Sequence, residues 1–60
     1  MSNLSEEYRA VIGWLNVDIE HLELQLLRED DPRECAHLRR IMLELIDKRT
    51  AYQLALNSME

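Results

Sequence analysis

The stretch that decides the fold is Asp30-Asp31-Pro32-Arg33-Glu34, at the middle of the 60-residue chain. Asp31 is suited to N-cap a helix. Pro32 falls at the first helical position, where its missing N–H costs nothing, and Glu34 falls at the third, completing a capping-box pattern. The residue before a proline avoids helical dihedrals, so a helix arriving from the N-terminal side ends by about Asp30. Upstream, Asn3 with Glu6, or Ser5 alone, can cap the other start, and Glu6 and Glu7 suit the positive end of the helix dipole. Between these signals lie Leu, Glu, Arg, Ala and Met, all good helix formers, with no proline inside either span. The reading is one all-α domain over 1–60: a helix over about 4–29, a turn at about 30–31 and a helix over about 32–57. At 1.5 Å per residue each rod is about 37–39 Å long, and so short a link makes them an antiparallel hairpin.

The apolar positions give each helix a seam. In the first it is Tyr8, Ile12, Leu15, Ile19, Leu22 and Leu26, a 4-3-4-3-4 heptad rhythm. In the second it is Leu38, Met42, Leu45, Arg49, Tyr52, Leu56 and Met59, widened by Ile41 and Ala55. Folding about Asp30–Asp31 pairs positions whose numbers sum to about 61, so Ile19 should lie near Met42 and Leu22 near Leu38 or Arg39.

The seams do not absorb all the apolar surface. Val17 and Leu24 lie nearly opposite the first seam, Ala10 and Gly13 share that back face, and Trp14 and His21 stand toward its edge. Ala36, Leu43 and Leu54 lie behind the second seam. Helices apolar on two sides are usually covered on two sides. The expected interface is therefore Ala10, Gly13, Trp14, Val17, His21, Leu24, Leu43 and Leu54. A second copy would use it to build a four-helix bundle, unless the face serves a different protein. Chain length supports self-association: a 60-residue domain buries only about 60% of its unfolded surface and leans on a disulfide, a metal or a partner. A single cysteine forms no internal bridge.

Charge bounds the partners. Seven Lys/Arg against twelve Asp/Glu give a formal charge of −5. Such a balance disfavours general affinity for nucleic acid or anionic membranes. The charge is uneven: residues 1–31 hold eight acids and two bases, residues 32–60 four acids and five bases, so the two helices should attract modestly. Arg33, Arg39, Arg40 and Lys48 are the one basic concentration. They read as a solvated flank with i, i+4 pairs such as Arg40–Glu44 and Glu44–Lys48, or alternatively as a nucleic-acid contact. The longest charge-free run, Ala10 to Val17, is far short of the roughly 20 residues a membrane span needs. The acidic start Met1-Ser2-Asn3-Leu4-Ser5-Glu6-Glu7 is unlike a signal peptide, and a free Cys fits a reducing cytoplasm.

Few residues invite chemistry. Arg49 interrupts an apolar seam, so its guanidinium must reach water or a carboxylate. Asp18, Glu7 and Glu6 are candidates for a buried ion pair, within the chain or across a dimer. Gly13 sits inside a helix at a cost of about 1 kcal/mol against Ala, and admits close approach of another helix or of a large side chain. Cys35 and His37 point about 200° apart, and Glu20, His21 and Glu23 offer no i, i+4 ligand pair, so no metal is expected. Cys35 has no His at i±3 or i±4 to activate it, and neither a phosphate loop nor a Ser triad is present. No catalytic residue, cofactor or small-molecule substrate is expected.

Through Asp30-Asp31-Pro32 and the two seams, the layout resembles the Rop family of plasmid copy-number regulators. That resemblance implies a dimeric four-helix bundle and RNA contact, here through Arg33, Arg39, Arg40 and Lys48. In size and sequence texture the chain also resembles the small helical proteins encoded between the exonuclease and excisionase genes of lambdoid phages. This implies a dimer that modulates phage or host development by binding proteins. The hairpin phosphatases of sporulation phosphorelays carry a Ser-x-x-x-Asp signature that this chain lacks. The expectation is a non-catalytic regulatory or adaptor protein acting as a homodimer, with RNA binding as the alternative.

Overall fold

The computed structural model describes residues 3–59. Helix α1 spans Leu4–Arg28 and helix α2 spans Pro32–Met59, and they pack against each other as a hairpin. The molecule is a rod of 46 × 16 × 13 Å. Both helices are close to their expected lengths. α1 stops one residue early and α2 runs two residues further, well inside the uncertainty of any terminal turn.

Local hydrogen bonds set the boundaries. Asn3, extended at φ −88° and ψ 122°, caps α1. Its Oδ1 accepts from the Ser5 backbone N–H at 3.0 Å and from the Ser5 hydroxyl at 2.8 Å. At the turn, Asp31 Oδ1 accepts from the Arg33 N–H at 3.0 Å, and the Asp31 carbonyl takes the Cys35 N–H at 2.9 Å. The capping-box pattern assigned the Asp31 N–H to Glu34. It donates instead to Glu29 Oε1 at 3.1 Å. Glu29 is extended, at φ −87° and ψ 126°. From there its carboxylate folds forward over the turn, while Glu34 stays exposed on the first turn of α2.

The core is narrow. Leu15 and Ile19 of α1 are 6% and 3% exposed, and Leu38 of α2 is 9% exposed. The remaining seam residues, Tyr8, Ile12, Leu22 and Leu26 against Ile41, Met42, Leu45, Tyr52, Ala55 and Leu56, are half-buried. Two helices cannot enclose a side chain on all sides, so most of the core keeps one flank in water. Tyr8 and Tyr52 close the far end edge-to-face, with ring centroids 5.0 Å apart and planes at 81°. That contact agrees with the predicted register. Val11 and Ile46 join the core as half-buried flanks. Met59 does not: it is 42% exposed, because in this register it lies past Leu4, where α1 begins.

Candidate interaction surface

The side of α1 turned away from α2 carries the largest apolar surface left open. Ala10, Gly13, Trp14, Val17, His21 and Leu24 are all exposed there. Trp14 is the extreme case, with 72% of its surface in water. Ala10, Val17 and Leu24 recur every seven residues, and Trp14 and His21 recur at the same interval along one border. This is a second heptad stripe about 21 Å long, on the opposite side of the same helix. Glu6 and Arg28 bracket it at the two ends, both exposed. Leu27, 83% exposed, extends the other border. Sequence reading passed it over, although the seven-residue series Gly13, Glu20, Leu27 runs along that edge.

Gly13 has no internal use in the hairpin. A Cβ built at that position meets nothing within 4 Å. Tyr52 therefore does not pack into the space of its missing side chain. The backbone lies bare on the outer stripe.

Leu43 and Leu54 are 58% and 63% exposed, on the side of α2 turned away from α1. The eight anticipated interface residues thus divide between two opposite sides of the rod. A single flat partner covers the α1 set or the α2 pair, and the α1 set is larger and more continuous.

The chain presents 4878 Å² to solvent. A folded monomer of 7.2 kDa ordinarily exposes about 4,100 Å². The surplus, about 750 Å², goes with the rod shape of 46 × 16 × 13 Å, in which each helix is covered on one side only.

The polar candidates are placed as follows. Arg49 is half-buried and donates from Nη1 to Asn16 Oδ1 at 2.9 Å. Within the chain its partner is thus a neutral amide at the surface, and not Asp18 or Glu7, the candidates for a buried ion pair. Both of those carboxylates are exposed, on the other border of α1. Cys35 is half-buried with its thiol on the Glu29 carbonyl at 3.4 Å, which makes it part of the turn. Among the described residues, no three His, Cys, Asp or Glu side chains gather as a metal site would require. Arg33, Arg39, Arg40 and Lys48 are exposed along α2. A shallow notch of about 240 Å³ lies beside the tyrosine pair, lined by Tyr8, Ala51, Tyr52 and Ala55. Among the described residues, no helix is long and apolar enough to cross a membrane. No protein-family model, curated protein or solved structure matches the chain.

Proposed function

We propose that this chain is a non-catalytic regulatory or adaptor protein that acts as a homodimer through its helix surfaces. The observation that carries the reading is the outer stripe of α1, a second heptad of apolar residues left open to water, with Trp14 72% exposed. Covering such a stripe removes apolar area from water at about 25 cal/mol per Å², the main driving force for association between small helical proteins. A second hairpin seated there completes a four-helix assembly. The dimer then offers the outer sides of its α2 helices, with Leu43, Leu54 and the Arg33–Arg40 flank, to whatever it regulates.

The test is Val17→Glu combined with Leu24→Glu. Both sites face water in the single hairpin, so helix content by circular dichroism should stay close to wild type. Mass by sedimentation equilibrium should fall from dimer to monomer. A double variant that keeps the dimer mass moves the contact to another face, and a wild-type chain that sediments as a monomer at high concentration removes the reading. RNA binding through the α2 bases is separated by Arg39→Glu with Arg40→Glu, which should leave the dimer mass unchanged.

A further inference from the structure

We infer that the occupant of the α1 outer stripe is the same stripe of a second copy, running antiparallel and centred on Val17. This deepens the homodimer reading and rests on it.

The stripe is self-complementary in one direction only. An antiparallel pairing about Val17 brings together residues whose numbers sum to about 34. Val17 then meets the partner's Val17 on the two-fold axis. Ala10, the smallest side chain on the centre line, meets the partner's Leu24, one of the largest. Along one border Trp14 lies over the partner's His21, and this contact occurs twice by symmetry. Along the other border Gly13 faces the stem of the partner's Glu20. Gly13 lacks a Cβ where its own chain has nothing to accommodate, and a partner backbone drawing close gives that absence a use.

The ends obey the same rule. Glu6 and Arg28 have numbers summing to 34, and each stands exposed at its end of the stripe. Antiparallel packing sets Glu6 against the partner's Arg28 at both ends, and it opposes the two helix dipoles. A parallel pairing keeps Val17 against Val17 but loses the complementary matches. Glu6 would face the partner's Glu6, Ala10 the partner's Ala10 with a void between, and Leu24 the partner's Leu24 in a crowded layer. Isologous contact of this kind closes after two copies. Because the stripe lies opposite α2, the result is a layered assembly with the two α1 helices inside and the two α2 helices outside. It is not a square bundle in which every helix reaches one central core.

Cross-linking in a Cys35→Ser background tests the register. Ala10→Cys and Leu24→Cys are made as separate chains, one carrying an affinity tag, and folding of each is checked by circular dichroism. The chains are treated with a short bis-maleimide alone and after mixing. Efficient cross-linking is expected only in the mixture, joining tagged to untagged chain, severalfold above either variant alone. Ala10→Cys cross-linking to itself would establish the parallel arrangement and overturn the proposal. A dimer by sedimentation that cross-links in no combination would place the contact elsewhere and also overturn it, while leaving the homodimer standing. A monomer by sedimentation would sink the homodimer reading itself.

Discussion

Arg49 and Gly13 are the two residues whose chemistry runs against their surroundings. Arg49 occupies a seam position between Leu45 and Tyr52 and keeps its head at the surface on Asn16 Oδ1. A long aliphatic stem on the core with a solvated tip is an ordinary use of arginine. A hydrogen bond at an exposed site is worth about 0.5–1.5 kcal/mol net. Methionine retains the stem's packing and loses only that bond, so Arg49→Met should change stability by no more than about 1.5 kcal/mol, read by thermal melting. A loss of several kcal/mol would instead be the mark of a buried charge pair. Gly13→Ala splits two effects that usually travel together. It should stabilise each hairpin by about 1 kcal/mol through helix propensity, because the added Cβ meets nothing in the chain. It should at the same time weaken the dimer, since a methyl group now stands where the partner backbone approaches. Melting of dilute samples and the dimer dissociation constant should therefore both rise. Sequence alone placed Arg49 on the seam but not its partner. The choice between Asn16 and the carboxylates depends on which border of α1 the arginine leans toward, and no periodicity encodes that.

At the level of elements, nearly everything about the hairpin was legible in advance, and the reasons are local. A proline preceded by Asp and a heptad on either side leave little freedom, and the Asn3 and Asp31 caps act within two residues of themselves. Glu29 was less legible. Its role depends on the extended backbone of the turn, which carries its carboxylate to the Asp31 N–H while Glu34 remains in water. Val11 and Ile46 entered the core for a related reason. A two-helix seam is wider than a strict pair of heptad positions, and flanking β-branched residues fill its edges. The turn carries a prediction of its own. Asp31→Ala removes the cap on Arg33 N–H and should cost about 1 kcal/mol. In a domain of this size that lowers the melting temperature by about 4–8 °C. Asp31→Asn keeps the accepting oxygen and should recover most of the loss. If Ala and Asn melt alike, the charge of Asp31 rather than its hydrogen bond holds the start of α2.

For the whole molecule, the decisive quantity is charge against covered area. Each copy carries a formal charge of −5, so two copies repel as they approach. With charges about 20 Å apart on average in water, that repulsion is about 5 kcal/mol before screening. At about 10 mM salt the Debye length is about 30 Å and much of the repulsion survives, whereas at 0.15 M it is about 8 Å and little does. In the proposed antiparallel dimer, two Glu6–Arg28 contacts pull the other way. As exposed pairs they contribute about 0.2–1 kcal/mol each, less than the repulsion they oppose. The apolar stripe itself is indifferent to moderate salt. Raising salt from about 10 mM to 0.15 M should therefore tighten the homodimer severalfold, as followed by sedimentation or by dilution calorimetry. RNA binding through Arg33, Arg39, Arg40 and Lys48 would respond in the opposite sense, because releasing counterions from phosphates makes affinity fall steeply as salt rises. The two equilibria thus answer salt with opposite signs, so a salt titration with RNA present, run beside the one on the protein alone, tells RNA binding from self-association. A dimer that loosened steadily across that range would mean that charge attraction, and not the buried face of α1, holds the copies together.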